Sequence, residues 1–217
     1  MSHSKPYRLR SNDRSFIVGK TGSGKSAAAR TLVWEELSDV VYYDMTGDEE
    51  RHLNAPVLRP LDDVEAALFP EDEDDHLTKF VYSPEVPSLD GFERLCELVY
   101  EHGNIHLIAD ELMAVYRTSS GGGSKPTTPH HLKILTNGRK RGVGMTGCTQ
   151  RPVNVPLEAI SEAEHIFVFK LKLPKDRDTM KRVIGPRADE ALDLDRWHYL
   201  YDHDDLDDPD SHDPLPI

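Results

Sequence analysis

Residues 19–26 read Gly-Lys-Thr-Gly-Ser-Gly-Lys-Ser, which fits the phosphate-binding pattern G-x-x-x-x-G-K-[ST]. The glycines allow the backbone to turn its N–H groups inward around a polyphosphate. A helix that begins here points the positive end of its dipole at the same anion. Lys25 is expected to reach the β- and γ-phosphates of a nucleotide, and the Ser26 hydroxyl to ligate Mg²⁺. The predicted nucleotide-binding residues are Gly19, Lys20, Thr21, Gly22, Ser23, Gly24, Lys25, Ser26 and Ala27.

Two other segments carry polar groups suited to hydrolysis of a phosphate bond. The apolar run 105–109 ends in Asp110 and Glu111. We expect Asp110 to hold Mg²⁺ through water, and Glu111 to polarise the attacking water. Gln150 follows the apolar run 143–149 and can hydrogen-bond the γ-phosphate or that water. The alternative is an ordinary strand that ends at a helix start, where Asp and Glu also cap well.

The hydrophobic pattern places these polar groups at the ends of strands. It predicts strands over 15–19, 40–43, 79–82, 105–109, 143–149, 166–173 and 196–201. It predicts helices over 25–37, 62–68, 89–101, 130–140, 157–164 and 176–184. Alternating strands and helices indicate an α/β fold with a mostly parallel sheet flanked by helices. In such a sheet the ligand crevice lies at the carboxyl ends of the strands.

The length of 217 residues suits one α/β domain. We predict an N-terminal extension over 1–14, an ATPase domain over 15–201 and an acidic, flexible tail over 202–217. No stretch approaches the ~20 apolar residues of a transmembrane segment, and the first residues lack the apolar core of a signal peptide. The two cysteines, Cys96 and Cys148, favour buried thiols over a disulfide framework or a zinc site.

The charge distribution points to a nucleic-acid partner even though the net charge is -13. Residues 112–157 contain no Asp or Glu, whereas the whole chain has 39 of them. This gap predicts one basic surface on an otherwise acidic body; the alternative is a set of loop charges that never gather. The Gly-rich segment 117–129 is predicted to be a mobile loop. The candidate DNA contacts are Arg117, Lys125, Lys133 and Lys140.

Taken in order, these segments resemble the HerA/FtsK superfamily of DNA-translocating ATPases. The stretch NGRKRGVGMTGCTQRP, residues 137–152, is similar to that family's Gly-Arg-rich turn leading into a strand that ends in Thr-Gln. The small size is similar to that of the genome-packaging ATPases of icosahedral viruses with an internal membrane. By element order the resemblance covers residues 15–184.

The resemblance implies a RecA-like P-loop NTPase core, a homohexameric ring, ATP with Mg²⁺, and double-stranded DNA in the central channel. It also implies an arginine finger that acts in trans on the neighbouring subunit's γ-phosphate. Arg139 occupies the Gly-Arg position of the family's turn and is preferred, while Arg141 and Arg151 stay open as alternatives. The expected locations are the host cytoplasm and the packaging vertex of the virion, where capsid or membrane proteins would be partners.

Three other functions compete with a genome-packaging motor. Another HerA/FtsK-type translocase or conjugation coupling ATPase would usually carry transmembrane or DNA-reading modules. A small-molecule kinase on a P-loop scaffold would need an Arg-rich lid, which the segment 117–129 does not resemble. Glu111 and Gln150 argue against a P-loop switch without hydrolytic activity. Stimulation of ATP hydrolysis by double-stranded DNA would separate the motors from the kinase and the switch.

Overall fold

A computed structural model describes residues 9–72, 76–118, 123–206 and 209–212 of the chain, and these residues form nine β-strands. They are β1 (Arg14–Val18), β2 (Val40–Asp44), β3 (Val57–Leu58), β4 (Lys79–Tyr82), β5 (His106–Asp110), β6 (Gly144–Thr149), β7 (His165–Val168), β8 (Tyr199–His203) and β9 (Asp210–His212). All nine pair into one sheet in the order β3-β4-β2-β5-β6-β1-β7-β8-β9. The strands from β3 to β7 in this order run parallel, and β8 and β9 are antiparallel to their neighbours. The predicted α/β class is confirmed.

The parallel strands define two edges of the sheet. At the carboxyl edge, where these strands end, lie Val18, Asp44, Asp110, Thr149 and Val168. The amino edge is the opposite side, where the same strands begin. Because β6 lies between β1 and β5, the ends of these three strands are neighbours at the carboxyl edge. The phosphate-binding loop, the acidic pair and Gln150 therefore meet there.

The helices cover the two faces of the sheet unequally. They are α1 (Lys25–Ala29), α2 (Leu61–Leu68), α3 (Leu89–His102), α4 (Met113–Tyr116), α5 (Pro129–Asn137), α6 (Leu157–Ser161) and α7 (Pro174–Ile184). On one face α1 packs with the buried side chains of Ile17 and Tyr42. On the other face Phe16 and Tyr43 share a core with α2 to α7. Successive strand residues point to opposite faces, so each strand serves both cores. Within the described residues, no helix is long and apolar enough to cross a membrane.

Three predicted helices end earlier than the hydrophobic pattern indicates, and one of them, predicted over 157–164, ends at Ser161. The helix predicted over 25–37 ends as an α-helix at Ala29 and continues as a π-helix over Arg30–Trp34. The helix predicted over 130–140 ends at Asn137 and tightens into a 3₁₀ turn over Gly138–Arg141. At Gly138 an added Cβ would lie 2.7 Å from the carbonyl oxygen of Val143. Only glycine fits there, so the chain can fold back tightly into β6.

The boundaries predicted for the ATPase domain are too narrow at both ends. Leu9 is buried in the core, so residues 9–14 belong to the domain, while residues 1–8 lie outside the described part of the chain. At the other end β8 continues to His203, and Asp210–His212 pairs with it antiparallel. The outer edge of β8 offers unpaired backbone groups that a further strand can satisfy. Part of the predicted flexible tail therefore belongs to the sheet.

The segment predicted as a mobile loop over 117–129 has an ordered base. Arg117 and Ser124 form an antiparallel bridge, and Lys125 N–H donates to the Tyr116 carbonyl at 2.7 Å. These contacts join two short arms of the chain into a hairpin, and the first arm begins directly after α4. Residues 119–122 lie outside the described residues.

Candidate active site

The phosphate-binding loop over residues 19–26 joins β1 to α1 and is held at both sides. Gly19 N–H donates to the Thr149 carbonyl at 3.2 Å, and Lys20 N–H donates to the Lys170 carbonyl at 2.9 Å. Gly24 has a φ of 121°, a conformation that side chains rarely adopt. The loop is therefore anchored to the chain that follows β6 and to the chain that follows β7.

Two buried polar groups in this loop fit a polyphosphate. Lys25 is only 6% exposed, and among the described residues no carboxylate lies within 4 Å of its ammonium group. The buried Ser23 hydroxyl also lacks a hydrogen-bond partner among these residues. A buried ammonium without a counterion is costly, and an anionic ligand would remove that cost.

Asp110 lies next to Ser26, as the sequence predicts. The Ser26 hydroxyl donates to Asp110 Oδ2 at 3.2 Å, and the hydroxyl of Tyr42 reaches the same oxygen at 3.2 Å. The pKa of Asp110 is raised to about 6, mainly by burial and also by the nearby Glu49 and Glu111 carboxylates, while Lys25 and the Tyr42 hydrogen bond act to lower it. The hydroxyl of Ser26 and the carboxylate of Asp110 are oxygen donors, and Mg²⁺ sites in nucleotide-binding proteins use such donors with water and phosphate. The two residues therefore fit Mg²⁺.

Glu111 is fixed by its backbone and by β6. Its φ of 59° is rare for a residue other than glycine. Glu111 Oε1 accepts hydrogen bonds from the backbone N–H of Gln150 at 3.0 Å and from the Thr149 hydroxyl at 3.2 Å. The Gln150 side chain turns toward the phosphate-binding loop, where its Oε1 accepts from the Thr21 hydroxyl at 2.6 Å. The three segments singled out in the sequence are therefore joined by hydrogen bonds.

Arg139 lies on the opposite side of the molecule from Lys25. It precedes β6 and so lies at the amino edge, where its guanidinium forms an ion pair with Glu164 and lies 3.9 Å from Asp13 Oδ1. Its side chain is 58% exposed. Arg139 therefore cannot reach the phosphate-binding loop of its own chain, and it is available to a neighbouring molecule.

The other two arginines considered as fingers are engaged within the chain. Arg141 donates to the carbonyl oxygens of Tyr100 at 2.6 Å and Glu101 at 2.7 Å, so it caps the end of α3. Arg151 lies at the carboxyl edge and donates through Nε to Asp176 Oδ2 at 2.8 Å. These contacts favour structural roles, and we do not retain Arg141 as a catalytic candidate.

The basic residues of the acid-free stretch follow the path of α5. Arg117 and Lys125 lie in the hairpin after α4, which follows the carboxyl edge. Lys140 lies with Arg139 in the turn at the amino edge. Lys133 lies between these groups on α5, with its ammonium 5.9 Å from the centre of the Tyr100 ring. The residues therefore extend from one edge of the sheet to the other, and a single basic surface stays a prediction.

Sequence reasoning missed two residues beside the site, Tyr42 and Trp197. Tyr42 lies in an apolar run and was assigned only to a strand, yet it orients Asp110 from β2. Trp197 approaches Gly24 closely, since an added Cβ there would lie 3.0 Å from Trp197 Cδ1. Sheet order alone brings these residues to the site, so the linear sequence gives no signal for them.

The fold and the site define a P-loop nucleoside triphosphatase in which one strand separates the phosphate-loop strand from the strand that bears the acidic pair. Comparisons with known proteins narrow this class. The chain is 30% identical over 212 residues to the DNA packaging ATPase P9 of Enterobacteria phage PRD1, covering 88% of this chain and 82% of that protein. It is 28% identical over 160 residues to Protein P9 of Pseudoalteromonas phage PM2, covering 72% of this chain and 67% of that protein. The chain belongs to the P9 family of viral DNA packaging ATPases.

A solved structure supports the same fold. The genome packaging NTPase B204 from Sulfolobus turreted icosahedral virus 2, in complex with ATP-gammaS, matches with a TM-score of 0.77 and 19% sequence identity. The match covers 95% of this chain and 100% of that one. No protein-family model matches the chain.

Proposed function

We propose that this protein is an ATP-driven motor that moves double-stranded DNA into a preformed viral capsid. The observation that carries the proposal is the cluster at the carboxyl edge. There Lys25, buried and without an ion pair among the described residues, lies in the same site as the Ser26–Asp110 pair and the hydrogen-bonded Glu111. The family relationship supplies the coupling to DNA packaging, because the PRD1 relative is named for that activity.

In this proposal the loop residues bind and orient ATP. Lys25 and the backbone N–H groups of the loop bind the β- and γ-phosphates. Ser26 and Asp110 would hold Mg²⁺, which would neutralise charge on the phosphate oxygens. Tyr42 fixes the Asp110 carboxylate by a hydrogen bond.

Glu111 is the proposed general base. It accepts a proton from the attacking water, and its two hydrogen bonds to β6 keep the carboxylate at the strand end. Gln150 lies between Glu111 and Thr21, where its amide can hydrogen-bond the γ-phosphate or the water. Loss of the γ-phosphate would therefore alter the contacts of both Gln150 and Glu111.

The active assembly is proposed to be a ring, hexameric by resemblance to the HerA/FtsK superfamily. Arg139 at the amino edge would face the carboxyl edge of the next subunit and serve as its arginine finger. The Arg139 side chain is 58% exposed, and the buried Glu164 carboxylate is also paired with Arg14, so Glu164 would keep a counterion when Arg139 turns to a neighbour. A neighbour's γ-phosphate would then replace the Glu164 carboxylate.

DNA is proposed to contact Arg117, Lys125, Lys133 and Lys140 through its phosphates, without reading of base sequence. The acidic remainder of the surface would repel DNA elsewhere. The protein would act in the host cytoplasm and at the packaging vertex, with capsid or membrane proteins as docking partners.

The test is ATP hydrolysis with Mg²⁺ in the presence and absence of double-stranded DNA. We expect DNA to accelerate hydrolysis by the parent protein, and Lys25→Ala to abolish both the basal and the stimulated rate. Lys175→Ala, a change of an exposed lysine on α7, is the matched control and should keep both. A hydrolysis rate that does not change when DNA is added would argue against a DNA motor. A Lys25→Ala variant that still hydrolyses ATP would argue against this site.

A further inference from the structure

A cavity of about 550 Å³ opens beside the phosphate-binding loop, on the side away from Asp110. The loop residues Lys20, Gly22 and Ser23 line one side of it. The chain that follows β7 and the chain that precedes β8 line the other, through Lys170, Lys172, Asp195 and Arg196. None of the proposed hydrolytic groups lies in this cavity.

The cavity lies where the nucleoside of a nucleotide bound to the loop is expected. Ser26 and Asp110 mark the Mg²⁺ end of the site, toward β5 and β6. If Ser26 and Asp110 held a metal that binds the β- and γ-phosphates, the nucleoside would leave the loop on its other side, toward β7 and β8. From β6 to β8 is three strand spacings, or about 14 Å.

The turn before β8 is built against the phosphate-binding loop. Trp197 N–H donates to the Ser23 carbonyl at 3.1 Å. The Trp197 indole packs against Gly24 and leaves no room there for a side chain. The φ of Trp197 is 71°, an outlier for a bulky residue. Such a conformation persists only where the surroundings fix it, and it is concentrated at ligand clamps and active sites.

Arg196 forms a planar surface on this turn. Its guanidinium carbon lies 4.6 Å from the centre of the Trp197 ring, so the indole supports it from one side. Arg196 also lines the cavity. A planar, supported guanidinium can stack on a base, whereas a lysine ammonium cannot.

The cavity is lined by four cationic residues and one acidic residue, and they are Lys20, Lys170, Lys172, Arg196 and Asp195. Lys170 already donates through Nζ to the Leu194 carbonyl at 2.8 Å. The Asp195 side chain can accept hydrogen bonds from a base amino group or from ribose hydroxyls.

We propose that this cavity binds the base and ribose of the nucleotide, with the base stacked on Arg196 and Trp197 behind it. The inference rests on the proposed ATPase function and extends it to the residues that hold the nucleoside. A base stacked on Arg196 gains contact area that the phosphates do not supply, so Arg196 sets how tightly a nucleotide binds beyond its phosphates.

Calorimetry with two ligands separates the base contact from the phosphate contact. ADP carries a nucleoside, and inorganic tripolyphosphate carries phosphates alone; both are titrated with Mg²⁺ into the full chain. We expect Arg196→Ala to weaken ADP binding about tenfold, or ~1.4 kcal/mol, and to leave tripolyphosphate binding unchanged. Arg196→Lys keeps the positive charge but lacks the planar guanidinium, so it should bind ADP as weakly as Arg196→Ala does. Arg182→Ala, an exposed change on α7, is the matched control.

Three outcomes would overturn the inference. Equal weakening of both ligands by Arg196→Ala would make the residue a general anion attractor. Full recovery in Arg196→Lys would assign the effect to charge alone, and parent-like ADP binding in Arg196→Ala would place the base elsewhere. A parent protein that binds neither ligand would instead refute the proposed ATPase function.

Discussion

The backbone N–H of Gln150 donates to Oε1 of Glu111 at 3.0 Å, which joins the end of β6 to the end of β5. The Gln150 side chain meets the Thr21 hydroxyl, so the same residue also contacts the loop after β1. The Glu111 carboxylate is therefore positioned by a main-chain N–H together with the Thr149 hydroxyl. This arrangement holds the proposed base and the phosphate loop in one hydrogen-bonded chain.

Replacing Glu111 with glutamine tests the base assignment. Gln keeps the shape and an oxygen that can accept from Gln150, but it cannot take a proton. We expect Glu111→Gln to bind ATP with near-parent affinity and to hydrolyse it at least ~100-fold more slowly. Calorimetry measures the affinity and phosphate release measures the rate. The exposed Glu101→Gln is the control, and parent-like turnover by Glu111→Gln would remove Glu111 from the base role.

Arg139 is expected to act only on a neighbour, because it lies at the amino edge of its own chain. Arg139→Ala should lower kcat by about 10³-fold and leave nucleotide affinity nearly unchanged. Rings mixed from Arg139→Ala and Lys25→Ala chains should recover activity, since each chain retains what the other lacks. Assembled mixed rings without recovery would exclude Arg139 as the finger.

Arg141→Ala is the informative comparison with Arg139→Ala. Arg141 donates to two carbonyl oxygens at the end of α3, so its loss should lower the melting temperature. We expect little change in kcat at a temperature where the variant is folded. A large fall in kcat with an unchanged melting temperature would return Arg141 to the list of finger candidates.

Arg117 and Lys125 sit on the two arms of the hairpin after α4 and are predicted to contact DNA phosphates together. Each lost phosphate contact lowers the slope of log K against log salt by about 0.9. Arg117→Ala with Lys125→Ala should thus flatten the slope by about 1.8 and reduce DNA stimulation, while basal hydrolysis persists. Filter binding on unrelated duplexes should show the same loss for each sequence.

The control for this pair is Lys175→Ala with Arg182→Ala, which removes two exposed charges from α7. It should leave both the slope and the stimulation at parent values. An unchanged slope in the hairpin variant would shift the DNA contacts to Lys133 and Lys140.

Stability should fall in acid partly because of His131. Burial lowers the pKa of His131 to about 3, whereas an unfolded histidine titrates near 6.5. Between these values the unfolded chain binds the extra proton, so the free energy of unfolding falls as pH falls below about 6.5. His131 contributes about 1.4 kcal/mol per pH unit in that window. The stability that neutral His131 contributes is fully lost only when the pH falls to about 3, its pKa in the folded protein.

His131→Gln keeps an acceptor for Tyr116, whose hydroxyl lies 2.7 Å from His131 Nδ1, but cannot be protonated. Urea unfolding between pH 6 and pH 4 should show a slope against pH that is shallower than the parent slope by about 1.4 kcal/mol per unit. The exposed His52→Gln should keep the parent slope. Equal slopes for His131→Gln and the parent would show that His131 is not the titrating group.

The sequence predicted the elements that carry strong local signals. Residues 19–26, the Asp110-Glu111 pair and Gln150 each follow an apolar strand, and parallel strands bring such ends together. The contacts of Tyr42 and Trp197 could not be predicted, because sheet order decides which strand ends are neighbours. The split of basic residues between two edges depends on the path of α5, which charge counting does not include. The end of α1 at Ala29 reflects buried packing of the next turn, a tertiary effect.

The most direct test of the motor is movement along DNA. The purified protein is given a duplex that carries a triplex-forming third strand, and release of that strand is followed over time. We predict release with ATP and Mg²⁺, no release with a non-hydrolysable analogue, and no release by Lys25→Ala or Glu111→Gln. ATP hydrolysis stimulated by the duplex without any release of the third strand would contradict the account.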